Sequence, residues 1–315
     1  MLRENGPFTL HSVTRENLST LKKALSADAE ARICELADMA SEIADTLVSL
    51  IDEGMTHYEA LALLSDELML EDTDEPIDPS INGERLLTYQ KHLTSTDRVF
   101  FSDLLCEMLA ERGIFLTEAD FLPIGEPIER FAFIKNPLAD EAYDVFSEEF
   151  GDPRLCYASS FSEAVRLLKN GEVGYCLLPL EEEGGVRISA VESLIYKNDL
   201  KIGAVTPVFG FDGEAKLRYA RVADVMRKPS FTGEDDRYLE IRLEKNTEIL
   251  LGEILMAADA FGILTHRIGT VTWEDTIGYH SVVFKTSGAS FHKLMLYLTL
   301  FAPDFCVTGL YKNAE

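Results

Sequence analysis

Apolar residues recur along this chain with two different periods, and the change of period divides it. Ile33, Leu36, Ala40, Ile43, Leu47 and Ile51 fall on one face of a long helix. Gly54 closes that helix. Thr56, with Glu59 three residues on, is a capping box opening the next, which carries Leu61, Leu64 and Leu68. Residues 71–79, with two prolines and a run of carboxylates, read as a solvated connector. Val99, Leu104, Leu105, Met108 and Leu109 mark a further helix that stops at Gly113.

Beyond Pro127 strands alternate with helices. A strand is expected at 131–134 and a helix at 139–150; Ser160 with Glu163 caps a helix that runs to Lys169 and stops at Gly171. A strand at 174–178, a helix at 191–196 and a strand at 201–205 complete this unit. In the tail, strand 238–243, helix 250–261 capped by Gly262, strands 265–271 and 279–285, helix 290–300 and strand 305–310 give the order βαββαβ. That is the ferredoxin-like split arrangement. The expected fold class is therefore α+β and multidomain: a helical region at 1–125, a single α/β lobe at 126–230, and a ferredoxin-like βαββαβ domain at 235–315.

Composition narrows the partners. At 315 residues and 46% hydrophobic content the chain buries real cores. Its net charge is −26, of which residues 1–125, with 25 acidic and 9 basic side chains, contribute −16. This argues against a nucleic-acid partner, which is held by Lys and Arg displacing counterions, and against anionic membrane surfaces. No apolar run approaches the roughly 18–20 residues that span a bilayer. Cys34, Cys106, Cys156, Cys176 and Cys306 have neither metal-ligand spacing nor a disulfide framework. They are read as reduced core thiols, and with no N-terminal signal pattern the expected location is cytoplasmic. The scattered histidines suggest no metal, and no cofactor motif appears.

The segment richest in functional information is Tyr175-Cys176-Leu177-Leu178-Pro179-Leu180-Glu181-Glu182-Glu183-Gly184-Gly185-Val186. A buried strand ends at a proline and delivers an acidic turn, the end of a strand at which open α/β sheets bind ligands. Together with Phe161-Ser162-Glu163-Ala164-Val165 and Leu217-Arg218-Tyr219, it resembles a lobe of prephenate dehydratase. Ala260-Phe261-Gly262-Ile263-Leu264-Thr265-His266-Arg267-Ile268 and Phe305-Cys306-Val307-Thr308-Gly309-Leu310-Tyr311 are similar to the amino-acid-binding ACT domain attached to those enzymes. The resemblance covers about residues 128–315.

What the resemblance implies about chemistry is mostly loss. Members carry a key Thr before the Arg; here that position is Leu217, followed by Arg218 and Tyr219, and Leu217 can neither donate nor accept a hydrogen bond. The loop that presents neutral polar groups to substrate becomes Glu181-Glu182-Glu183. Each added carboxylate would cost a few kcal/mol beside a dianion at ~5 Å. Asn136-Pro137-Leu138 stands where a Gly-Thr-Phe-Ser loop is expected. Only residues 206–216 bridge the place of a second lobe. No catalytic residue is assigned; Leu217, Arg218, Tyr219, Glu181, Glu182 and Glu183 are vestigial positions.

In the ACT-like tail, the resemblance places an amino-acid effector at Ile249, Leu250, Leu251, Gly252, Gly269 and Thr270, with the β-branched Ile249 in place of a glycine. Trp273, His266 and His280 are read as packing or rim residues. ACT domains pair with one another, so a homo-oligomer, a dimer, is expected. The leading reading is a dehydratase-derived, non-catalytic regulatory or amino-acid-sensing protein. The alternatives are a divergent prephenate dehydratase with a relocated site, and an acidic interaction scaffold.

Overall fold

A computed structural model describes residues 27–69, 93–122, 124–151, 153–209, 213, 215–227, 237–244, 250–273, 277–286, 288–302 and 305–312. Contact density divides the chain into two compact units, and neither follows the three sequence segments. The first joins residues 1–121 to 247–265 and 288–304; the second joins 122–246 to 266–287 and 305–315. The tail is thus distributed, its helices in one unit and most of its strand residues in the other.

In the first unit, helices α1 (Ala27–Asp52), α2 (His57–Met69) and α3 (Ser95–Glu111) pack with the tail helices α7 (Leu251–Ala260) and α8 (Gly288–Phe301). The α1 face predicted from the 3.6-residue period is buried through Leu36, Ala40, Ile43 and Leu47, while Ile33 and Ile51 lie at its margins. Gly54 ends α1 at φ +104°, where a side chain would be strained. The capping box at α2 forms as expected: Thr56 N–H donates to Glu59 Oε2 at 2.9 Å and Glu59 N–H to Thr56 Oγ1 at 3.2 Å. Phe101 meets the Phe301 ring edge-on at 6.0 Å, and Phe121 meets Phe291 at 6.4 Å. The 71–79 connector and Ile249 lie outside the described residues.

The second unit is built on one mixed sheet with strand order β3-β2-β4-β6-β5-β11-β8-β10-β9. The strands are β2 (Arg130–Phe133), β3 (Arg154–Tyr157), β4 (Tyr175–Glu182), β5 (Lys201–Phe209), β6 (Ala215–Ala223), β8 (Arg237–Glu244), β9 (Leu264–Trp273), β10 (Ile277–Thr286) and β11 (Phe305–Tyr311). Short β1 (Ile124–Gly125) and β7 (Met226–Arg227) pair separately. Within the tail, the order β11-β8-β10-β9 is that of the split βαββαβ arrangement. It does not stand apart from the lobe: β11 runs parallel to β5, with Gly309 opposite Ile202.

Both faces of the lobe sheet are covered. Helices α5 (Phe161–Lys169) and α6 (Ser189–Lys197) contribute to the cluster that holds Cys176, Leu178 and Leu180. On the other face, α4 (Pro137–Ser147) contributes to the cluster of Phe131, Phe133, Tyr175 and Leu177. That two-sided burial is why β4 reads as a continuous apolar run rather than an alternation. Of the five thiols only Cys176 is buried; Cys34 is exposed, and the other three are partly so, which corrects the reading of all five as core thiols.

Candidate functional site

Pro179 does not end its strand. β4 continues to Glu182, and the ladder to β6 accommodates the proline with a bulge: Pro179 lies opposite Tyr219, and Glu181, not Leu180, opposite Arg218. The turn comes later, at Gly184 and Gly185, with φ of +84° and +79°. There the chain doubles back, Gly185 N–H donating to Glu182 O and Ile188 N–H to Leu180 O at 3.0 Å each. The three glutamates therefore differ in environment. Glu182 and Glu183 are exposed, whereas Glu181 is buried inside the fold-back.

The return strand brings Arg187 against Glu181, with Nε 3.0 Å from Oε1, and the Arg187 side chain is only 5% exposed. Its Nη2 lies 2.6 Å from Oε2 of Glu240 on β8, a carboxylate with no exposed surface. Tyr311 donates to the same oxygen at 3.3 Å. The Tyr196 hydroxyl is 3.1 Å from Glu240 Oε1 and 2.6 Å from Ser281 Oγ. If tyrosine donates to the carboxylate and serine to the tyrosine, one proton each satisfies both contacts. Arg267 Nη2 approaches Glu192 and Glu240 at 3.6 and 3.9 Å. Arg218 Nη1 closes the cluster at 3.4 Å from Glu181 Oε2.

The charges shape one another. Burial opposes the Arg187 cation, but Glu240, Tyr311 and Glu181 outweigh it and hold its pKa above the ordinary arginine value. Burial, reinforced by Glu240, pushes the Tyr196 and Tyr311 phenols far up. Burial likewise raises the Glu192 carboxyl above its usual 4.5, against the pull of Arg187 and Arg267. A carboxyl raised on folding binds its proton more tightly in the native state, so its contribution is present at low pH and is lost as pH rises from about 4.5 through the folded value. Thermal melts across that range are expected to show wild-type stability falling relative to Glu192→Gln. Parallel curves for the two proteins would contradict this.

Some expected site residues are brought together. Glu181 and Arg218 pair directly. Leu217 lies opposite Glu182 and packs against the aromatic cluster. Tyr219 is buried in that cluster, its phenol pushed up by burial and eased by a hydrogen bond with Asn136. Asn136 is occupied as a helix cap, accepting from Ala139 N–H at 2.9 Å. Of the ACT-like positions, Leu250, Leu251 and Gly252 lie at the start of α7 in the first unit, with Leu250 exposed. Gly269 and Thr270 lie on β9 in the second. His266 is exposed and meets the Tyr238 ring edge-on at 5.1 Å, and His280 lies half-buried on β10. The Trp273 side chain lies outside the described residues.

Arg187 and Glu240, the centre of the network, are absent from the sequence-derived site. Val186-Arg187-Ile188 after a double glycine is a hairpin return that could have been read. Glu240 offers no such signal, because in Tyr238-Leu239-Glu240-Ile241 it occupies the polar phase of an alternating strand.

The described residues thus define a mixed α/β protein whose large sheet joins an α/β lobe to a βαββαβ tail. No family model matches the chain, and no curated protein does. Among solved structures, it is similar to prephenate dehydratase from Streptococcus mutans, at 14% identity and TM-score 0.48 over 59% of this chain and 99% of that one. It is also similar to GqqA, described as a novel type of quorum quenching acylase, at 14% identity and TM-score 0.43 over 59% of this chain and 95% of that one. A third, prephenate dehydratase from Arthrobacter aurescens in complex with L-Phe, gives 13% identity and TM-score 0.43 over 59% and 90%. At such identities none of these likenesses transfers chemistry. No helix among the described residues is long and apolar enough to cross a membrane.

Proposed function

We propose that this chain is a non-catalytic, dehydratase-derived protein with a regulatory or amino-acid-sensing role connected to aromatic amino-acid biosynthesis. The observation that supports it best is the connection from β5 to β6. These strands are antiparallel neighbours, and only residues 210–214 lie between them, where the family that the sequence resembles inserts a second lobe. A single lobe lacks the facing wall with which an enzyme encloses its substrate and excludes water. The remaining groups point the same way. Leu217 has no proton to give, and Arg218, the surviving cation, is engaged by Glu181.

In this reading the tail supplies the regulation, with an amino-acid effector near Leu250–Gly252 or Gly269 and Thr270, and a second copy pairing with it. The decisive assay is phenylpyruvate formation from prephenate at neutral pH. The purified chain is expected to give no rate above the uncatalysed one, and turnover that scales with protein concentration would sink the proposal. Melting scans against the common amino acids test the sensing role, because a ligand bound only by the native state raises the melting temperature. A flat response to all of them would leave an interaction scaffold as the better description.

A further inference from the structure

We propose that Cys306 is a peroxide-reactive thiol and that Lys201 captures its oxidised form, making a covalent bond between Sγ and Nζ that ties β5 to β11. The thiol does not stand alone. Lys201 opens β5, Cys306 lies near the start of β11, and the two strands are parallel neighbours in the sheet. Lys201 Nζ donates to Cys306 Sγ at 3.5 Å, and Sγ in turn donates to Asp199 Oδ1 at 3.4 Å. The same carboxylate oxygen accepts from Nζ at 2.9 Å and from Arg242 Nη2 at 3.1 Å. Arg242 faces Cys306 across the ladder of β8 and β11, and its Nη1 is fixed on the Tyr196 carbonyl at 2.6 Å. The four side chains lie in the second unit, and none of them belongs to the Arg187 network.

Three features favour the reaction. The first is access: Cys306 is partly exposed and the Asp199 side chain on which it rests is 55% exposed, so the thiol borders solvent. Cys176, by contrast, is fully buried and donates to Ala164 O at 3.0 Å. The second is surroundings. Thiols that peroxide oxidises stand partly exposed beside cations, and Cys306 has Lys201 against it and Arg242 one contact further. The third is aim. An ammonium has three N–H groups, and those of Nζ meet Asp199, the Val307 carbonyl at 3.0 Å and Sγ. Loss of the proton on the sulfur side leaves a lone pair directed at Sγ, and the flexible lysine stem closes the remaining gap. In the first step the thiolate attacks one oxygen of hydrogen peroxide. The O–O bond breaks, sulfur is oxidised to the sulfenic acid, and the released hydroxide takes one Nζ proton to become water. The Nζ lone pair then attacks Sγ, the S–OH bond breaks, and the departing hydroxide takes a second Nζ proton. Thiolate, ammonium and one peroxide thus give the S–N link and two waters, with peroxide as the oxidant.

The inference stands whether or not the chain turns over prephenate or senses an amino acid. It is tested on the full chain, treated with hydrogen peroxide at neutral pH, then denatured, alkylated without reductant, digested and read by peptide mass spectrometry. The peptides carrying Lys201 and Cys306 are expected as one linked species, lighter than their sum by two hydrogens. Dithiothreitol should separate them and restore an alkylatable Cys306, while Cys176 stays unmodified throughout. The link closes a loop between positions 105 residues apart, so the oxidised chain should also melt higher, and dithiothreitol should reverse the rise. Lys201→Arg keeps the charge but has no amine to give; its Cys306 is expected to run on to the sulfinic acid, with no linked peptide and no rise in melting temperature. Cys306→Ser should lose the linked species outright. The wild-type chain alone is decisive even where a variant folds poorly. A Cys306 that remains alkylatable after peroxide, or that appears in the wild type as sulfinic acid or as a disulfide in place of the linked pair, would overturn the proposal.

Discussion

Arg187→Met is expected to destabilise the protein by about 3–5 kcal/mol, the cost typical of removing one partner from a buried ion pair. The reason is what remains. Glu240 has no exposed surface, and without the 2.6 Å contact from Arg187 Nη2 its carboxylate keeps, among the described residues, the Tyr196 and Tyr311 hydroxyls as close donors. Glu181 loses its 3.0 Å partner at the same time and is left with the longer contact to Arg218 among the described residues. Urea denaturation measures the loss as a fall in midpoint at constant slope. The double variant Arg187→Met with Glu240→Leu should recover more than half of it, since apolar replacement of a buried pair is often neutral. It should not recover everything, because the Tyr311 hydroxyl then lacks its acceptor, at about 1 kcal/mol, while Tyr196 can turn its proton to Ser281 Oγ at 2.6 Å. A single variant within 1 kcal/mol of wild type would mean that the pair contributes little to holding β4, β8 and the hairpin return together.

Gly174→Ala should cost about 3 kcal/mol, at the top of the range for forcing atoms into a filled interior. A Cβ on Gly174 would stand 2.1 Å from the carbonyl oxygen of Ile128 and 2.7 Å from its nitrogen. These are backbone atoms, so no side-chain rotation relieves the overlap. The Gly174 N–H also donates to Arg130 O at 3.0 Å, and moving the chain to admit a methyl group breaks that bond where β2 and β4 begin to pair. Gly252→Ala is the matched control: nothing lies within 4 Å of its added Cβ, and it sits in the first turn of α7. Its stability should stay within about 1 kcal/mol of wild type, or rise slightly from better helix propensity. Equal effects of the two substitutions would show that close approach at Gly174 is not what selects glycine there.

The elements legible from sequence are those with local causes. Helices α1 and α2 announce themselves through the 3.6-residue period, the Gly54 stop and the Thr56–Glu59 box. The tail strands do so through alternation bounded by Gly262 and by helical runs. β6 is different. In Lys216-Leu217-Arg218-Tyr219-Ala220-Arg221 the basic residues fall out of phase, because Arg221 is buried and lies over the Phe146, Phe150 and Tyr175 rings at 5.3–5.7 Å. A cation stacked on aromatic rings defeats a hydropathy pattern that assigns charge to solvent. The site divides in the same way. Glu181 and Arg218 were reachable through neighbouring motifs, whereas Arg187 and Glu240 are 53 residues apart and meet only through the sheet. The full extent of β4 is not legible in the sequence because proline usually ends a central strand, and a one-residue bulge is a tertiary accommodation with no local signature.

The parallel seam between β5 and β11 has a mechanical consequence. Gly309 sits so close to Ile202 that an added Cβ would lie 2.9 Å from the Ile202 Cβ, and Val205 N–H reaches across to Lys312 O at 3.3 Å. Lobe strands and tail strands therefore behave as one elastic plate, without a joint. Swinging the tail strands away would strip backbone donors and acceptors of their partners, a cost that hinge motions between separate modules avoid. Strain introduced at β8 or β11 therefore reaches β4 and β6 as a change in torsion along a shared ladder.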